Sequence, residues 1–392
     1  MDILWKFDLP TDESCRDYDY EGPIFVKGNN LYFICNSCAN HKCELVLYVL
    51  DKTLGVVQKT FCFRGNTKLP AKCFIEAYNE KIIIYTGKLW LLHEDSLTEL
   101  FDQPIEEEIN SYFLYQNRLI FADRSNLRCI NVETNCVEWQ LHIPNTKNYS
   151  VGDITLFENS VACYGNDQLL FVNISTGSIV EQIKIPRVDK LFNPIRMQDG
   201  SLLIGYTNWS NAGILRYDNK AKKVIWKSSR AFQGPLLRRK IYLRDNRAYW
   251  VKNDTELVCI HAENGNEIYR TQTSPWLYTD LLFLGDRIYY GTAGRDGFLM
   301  CLHAESGDQS WAFPLKNGCA YFDVYSDCAI VGDFDKKIYQ FDLSTGRVQE
   351  QMQVDGEVVG RIRTDQNQAY TVVWGSADRP IRLIKFKIQG QE

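Results

Sequence analysis

Residues Gly285 to Leu315, GDRIYYGTAGRDGFLMCLHAESGDQSWAFPL, read as three β-strands and two turns. Arg287 to Thr292 is β-branched and aromatic, Gly294 to Gly297 is a turn, and Phe298 to His303 alternates. Ala304 to Asp308 turns again and Trp311 opens a third strand. Other segments repeat this pattern in worn form. The ruler is the second turn: a polar residue closes the middle strand, a Gly or other turn residue follows four positions on, and a Trp or aromatic four beyond that. His303, Gly307 and Trp311 are matched by His261, Gly265 and Tyr269, and by Asn131, Asn135 and Trp139. Asp218, Lys222 and Trp226 keep the Trp without the Gly, whereas Asn173 with Gly177 and Asp342 with Gly346 carry Glu181 and Glu350 in place of the aromatic. Asp51 with Gly55, and His93 with Phe101, complete the set.

The first markers lie at 51, 93, 131, 173, 218, 261, 303 and 342, giving gaps of 42, 38, 42, 45, 43, 42 and 39 residues. A period near forty with several strands per unit and no helical stretch is the pattern of a β-propeller. Gly supplies positive φ in the turn, and Asp or Asn can accept from the backbone two residues on. The Trp brings a large apolar surface and one N–H to the seam between neighbouring sheets. His93, His261 and His303 therefore occupy a structural position. After Asp342 the next marker is due near residue 384, yet the chain runs IRLIKFKI from Ile381 to Ile388 and stops one strand short. Trp5 to Pro10, WKFDLP, resembles Trp139 to Pro144, WQLHIP, a last strand in its own repeat. The expectation is one all-β domain over residues 1–392, a ring of nine four-stranded blades whose last blade takes its outer strand from residues 3–9. Eight blades is the alternative if the weak unit at Ala71 to Asp102 is irregular.

The repeats resemble the pyrroloquinoline-quinone type of propeller repeat, whose pattern is strand, Gly, Asp-Gly turn, "LDA-TG", then a Trp that docks on the neighbouring blade. The similarity is strongest in GRDGFLMCLHAESGDQSW, good in NDTELVCIHAENGNEIY and DKKIYQFDLSTG, and covers nearly all of the chain. It implies the fold and leaves function open, since such repeats occur in dehydrogenases, outer-membrane assembly lipoproteins and cytoplasmic proteins. The dehydrogenases of this type hold a quinone and calcium in a central funnel, commonly beside a disulfide between adjacent cysteines. This chain has no adjacent cysteine pair, so a quinone cofactor is not expected and no catalytic residue is carried across.

Composition points the same way. The chain has 392 residues, 45% hydrophobic, enough for a large core. Its net charge of −5 and lack of a basic stripe oppose nucleic-acid binding. There is no apolar run of membrane-spanning length. The first residues, with Asp2, Lys6 and Asp8, lack the pattern of a secretion signal. The thirteen cysteines lie mostly inside strand patterns, Cys129, Cys163, Cys259, Cys301 and Cys328 reading as buried hydrophobes, which predicts a reducing, cytoplasmic setting.

Two groups of residues stand out as candidate sites. Cys35, Cys38, His41 and Cys43, in CNSCANHKC, could surround a tetrahedral zinc ion. Against zinc, the spacing matches no common ribbon or knuckle, and a redox Cys-x-x-Cys pair or ordinary thiols are the alternatives. Cys35 and Cys43 are also candidates for the paired ends of a hairpin. On the rim where second-to-third strand connections and blade-to-blade connections emerge, Trp209, Trp276 and Trp374, with Arg295 and Arg379, fall outside the docking position and suit a protein or peptide interface. The paired carboxylates Asp333 and Asp335 read as turn residues. Two functions follow: a non-catalytic interaction or scaffold module working through the rim, or a small-ligand-binding or enzymatic propeller using the funnel.

Overall fold

The computed structural model describes the chain apart from residues 10–22, 40–41, 64–72, 102–104, 106–108, 110, 124, 144–153, 166–167, 209–210, 229–239, 253–254, 274–275, 359–360, 376–380 and 389–392. Every regular element among the described residues is a β-strand. The backbone divides into two compact units, Met1–Glu99 with Thr273–Glu392, and Leu100–Gln272.

In the unit Leu100–Gln272, four antiparallel sheets follow one another, each of four strands paired in chain order. The first runs Ser111–Tyr115, Arg118–Asp123, Asn126–Asn131 and Cys136–His142. The two middle strands of each sheet are buried nearly throughout, because both faces of the sheet are covered; the outer strand is mostly exposed. Isolated, such a sheet would leave both apolar faces wet, so the core forms between neighbours. Ile120, Leu127 and Cys129 of one sheet pack with Val161, Leu170 and Val172 of the next.

The other unit contains two sheets of the same kind, Ile24–Lys27 to Val57–Phe63 and Phe74–Tyr78 to Ser96–Glu99, plus one of seven strands and one of five. In the seven-stranded sheet, Arg287–His303 is one continuous 17-residue element, yet the Ala304 amide donates to Asp286 O (2.8 Å) and the Phe298 amide to Thr292 Oγ1 (2.8 Å). A straight strand rising ~3.3 Å per residue could make neither contact. The chain therefore folds back, and residues 287–292 and 298–303 are the two arms expected from the sequence. Gln309–Tyr325 pairs with 293–302 through its first part and with Cys328–Asp333 through its second, so the sheet resolves into two four-stranded groups sharing one unbroken run of chain.

In the five-stranded sheet, Gly356–Val358 and Arg363–Asp365 both pair with Gln368–Gly375, a broken first strand. Next come Arg382–Lys387 and, antiparallel to it, the N-terminal strand Ile3–Asp8, with Phe7 opposite Leu383 and Asp8 opposite Arg382. The N-terminus thus supplies the strand that the C-terminal repeat lacks.

The marker residues act at the seams. The Trp139 ring lies where a Cβ on Gly177 would stand 2.7 Å away, and Trp139 Nε1 donates to Ile174 O at 2.7 Å. Trp226 meets Gly265 and Glu263 O, Trp311 meets Gly346 and Leu343 O, and Trp5 meets Gly55 and Lys52 O in the same manner. Only Gly allows both the positive φ of this turn (67° at Gly177) and a ring laid flat on its Cα. The first marker is the cap of the turn: Asp51 Oδ1 accepts from the amides of Thr53 and Leu54, and Asn131, Asn173 and Asp218 repeat the contact.

Two features of the seams are not in the sequence pattern. Just before the docking residue the outer strand carries a β-bulge: Cys129 faces Trp139 but Ile130 faces Val137, and register shifts recur at Phe171/Val172, Arg216/Tyr217, Cys259/Ile260 and Gln340/Phe341. A bulge re-aims the next side chain and blunts a free edge. The unit at Ala71 to Asp102 is irregular in this one respect: its outer strand Ser96–Glu99 pairs without a shift, although the sheet has its four strands. Secondly, where the Trp is missing an ion pair stands in. Glu181 takes the Trp position and Lys222 the Gly position of the following repeat, and they meet at 2.5 Å. Lys59, also at a Trp position, pairs with Asp95 in the next turn.

Candidate interaction surface

Three residues of the unit holding both termini begin the site. Trp276 lies in Trp276–Leu277, paired with Ala293 at the end of the second-strand arm of its sheet. Leu277 faces inward and is buried, so alternation turns the indole outward, where it is 64% exposed. Tyr278 follows, 46% exposed, its ring edge-on to Tyr321 at 6.4 Å and its amide bonded to Gly291 O. Trp374, 36% exposed, stands near the end of Gln368–Gly375 opposite Glu357. Trp276 and Trp374 therefore both lie where second strands of their sheets end.

The backbone beneath them is held firmly. Thr292 Oγ1 accepts from the Phe298 amide, closing the turn at 294–297. In the next group, the second strand Cys328–Asp333 ends on a fully buried carboxylate. Asp333 accepts from the amides of Asp335 and Lys337 and from the Tyr339 hydroxyl, and burial raises its carboxyl above the usual range. Asp333 is thus a hairpin cap, as its reading as a turn residue predicts, while Asp335 takes Lys316 of the preceding group at 3.0 Å. This lysine ties one hairpin to the neighbouring outer strand.

Of the other rim residues named from sequence, Trp209 and Arg379 lie outside the described residues. Arg295 is placed only as a backbone position in Arg287–His303. Sequence reading passed over Tyr278, although a Trp-Leu-Tyr run on a two-residue strand puts both aromatics on one face. It also passed over Arg216 and Arg287, whose guanidinium groups reach Glu263 O and Ser344 O in the following turns at 2.6 Å each. For Arg287 the available signal was the arginines that open second strands at 118, 247 and 287.

Of the cysteine cluster, only the side chain of Cys35 is among the described residues. Asn30–Ala39 and Lys42–Asp51 form one antiparallel ladder. Cys35 pairs with Val46, and Cys43 pairs with Cys38; Cys35 and Cys43 are not the paired ends of a hairpin. Cys35 is 1% exposed in a core cluster with Leu31, Phe33 and Val46, and burial pushes its thiol up. His41 lies outside the described residues. Among the described residues no group of three or more His, Cys, Asp or Glu is placed to hold a metal ion. Elsewhere burial pushes the thiols of Cys73 and Cys163 up to about 12 and that of Cys259 to about 11, leaving them unreactive near neutral pH.

Comparison with known proteins agrees with the fold. The family model described as outer membrane protein assembly factor BamB matches residues 210–382. The structure is similar to BamB from Moraxella catarrhalis (TM-score 0.54, 15% identity, covering 80% of this chain and 96% of that one). It is similar to a europium-containing methanol dehydrogenase (TM-score 0.52, 11% identity, 99% and 93%). It is also similar to the quinohemoprotein alcohol dehydrogenase of Comamonas testosteroni (TM-score 0.57, 12% identity, 100% and 77%). No curated protein matches the sequence. Residues 210–382 thus match repeats of the pyrroloquinoline-quinone-like type, and the fold of the chain is similar to that of β-propellers. At these identities the solved structures speak to the fold alone.

Proposed function

We propose that the protein is a non-catalytic interaction or scaffold module that binds a protein or peptide partner through the rim bearing Trp276, Tyr278 and Trp374. The observation that carries this reading is Trp276, a whole indole 64% exposed on a hydrogen-bonded strand. Large aromatics held on rigid backbone are the usual anchors of protein interfaces, where their burial supplies most of the binding energy. The match to the assembly-factor family supports it, since that family is named for work on other proteins. The thiols buried in strands support a reducing, cytoplasmic setting. We further propose one domain over residues 1–392, a ring of nine blades. Support for this comes from the Trp5–Gly55 seam, which joins the C-terminal sheet to the first by the same contact that joins consecutive sheets elsewhere.

The test is a photo-crosslinking amino acid placed at position 276 and, as control, at exposed Val180, in protein expressed in its own host. Position 276 is expected to capture one discrete polypeptide that position 180 does not, and Trp374→Ala to reduce the yield severalfold. Equal, diffuse labelling from both positions would refute the rim as the binding surface.

A further inference from the structure

At each bulge the outer strand has one residue more than its partner, and that extra residue stands at the edge of the sheet. At four of these places it is polar and tied down. Gln58 donates to Asp51, Glu138 accepts from Arg118 and Asn131, Ser310 accepts from Arg287, and Gln349 accepts from Gln340. In the sheet ending in Ile179–Ile183 and in the next, ending in Lys223–Lys227, the same place holds Val180 and Ile225, 57% and 45% exposed. Ile179 and Val224, just before them, are exposed as well. The Glu181–Lys222 pair joins these two sheets, so the four aliphatic side chains flank one seam.

A cationic stretch runs through the same place. Residues 219–228 hold four lysines and no acidic residue, in a chain of net charge −5. Lys220 and Lys223 are exposed and form no ion pair among the described residues, while Lys222 holds Glu181 and Lys227 lies over the Tyr206 ring at 4.0 Å. Asp218 Oδ1 is occupied by the amides of Lys220 and Ala221. Glu263, in the corresponding turn of the following sheet, ends the cationic stretch. Bulges and edge lysines both oppose the addition of another strand, so this edge is a poor template for an extended peptide. Small aliphatics among lysine ammonium groups match a surface that is anionic outside and apolar beneath.

We propose that this seam is a peripheral docking site for an anionic lipid bilayer. Lys220 and Lys223 meet the anionic headgroups, and Val180, Val224 and Ile225 enter the boundary between headgroups and acyl chains. The contact is reversible and salt-dependent, because the aliphatic area is small and exposed lysines supply the attraction. It lies at the turns between third and outer strands, the end of these sheets opposite the connections between second and third strands. It is independent of the rim with Trp276, and a bilayer gives position 180 no polypeptide to capture.

Vesicle sedimentation tests the proposal with the full-length protein. The probes are vesicles of phosphatidylcholine alone and of phosphatidylcholine mixed with phosphatidylserine. Binding is expected to the mixed vesicles only, and to fall as salt is raised. Each lysine neutralised, in Lys220→Ala and Lys223→Ala, should weaken it about fivefold. Val180→Ser with Ile225→Ser should weaken it severalfold at unchanged charge. Lys336→Ala with Lys387→Ala, the same loss of charge on exposed lysines elsewhere, should bind as the wild type does. Melting curves confirm that each variant is folded. No binding to the mixed vesicles at low salt, equal binding to both kinds, or an equal loss in the two lysine pairs would overturn the proposal. So would binding of a glutamate-rich peptide at this seam without any binding of vesicles, which would make the partner an acidic polypeptide.

Discussion

Trp139 shows what one residue contributes. Only 9% of it is exposed, its ring covers the turn of the next repeat and its single N–H is spent on Ile174 O. Trp139→Ala should destabilise the protein by about 3 to 5 kcal/mol, the usual cost of a large-to-small core change; chemical denaturation reads it. Gly177→Ala sets a Cβ against that ring at a φ of 67° and should cost more than about 1 kcal/mol. The turn caps give a pH dependence. Asp342 is held below the ordinary carboxylate range by the Ser344 hydroxyl and the Thr345 amide, and Asp51 by the Leu54 amide. In the interval between the lowered folded value and the unfolded one, the unfolded chain binds more protons, so stability is full above that interval and is lost as pH falls through it. Asp342→Asn keeps an acceptor but no charge, and should flatten the melting temperature's dependence on pH below about 4. A slope equal to that of the wild type would remove Asp342 from the acid response.

At the scale of the element, the seam is a two-residue unit. Trp faces Gly at four seams, whereas Glu181 faces Lys222 at another, so the pattern wears by exchanging both partners. The exposed ion pair is worth only about 0.2 to 1 kcal/mol. Glu181→Trp with Lys222→Gly should therefore be more stable than the two single changes together imply, with a coupling of about 1 kcal/mol in a double-mutant cycle. Additive effects would mean that the two positions do not form one joint. Glu181 and Lys222 look like lapses in the sequence because the pattern is read along one chain segment, while the compensation lies in the following repeat.

For the whole molecule, the two ends of the chain meet in one sheet, where Ile3–Asp8 pairs with Arg382–Lys387 and Arg382 bonds Asp8 at 2.5 Å. Removing residues 1–10 takes away a strand, the Trp5 seam and this ion pair together. The melting temperature should fall by more than it does for Trp5→Ala alone, and an unchanged melt would show that the N-terminal strand carries no stability. The pairing of the two terminal strands was legible because the C-terminal repeat lacked a strand whose likeness stood at the N-terminus.

The sequence by itself determined the repeat, its period, the turn caps, the placing of Trp at the seam and the N-terminal strand as a completing edge. These are local properties, in which each residue type answers to a nearby backbone need, and repetition makes the signal readable. Only the tertiary structure decided which aromatics stay outside, that Cys35 is core, and that ion pairs replace worn seams. Those depend on strand register and on partners about forty residues away. A one-residue change of register moves a side chain to the other face, and the spacing of cysteines along the chain does not specify it.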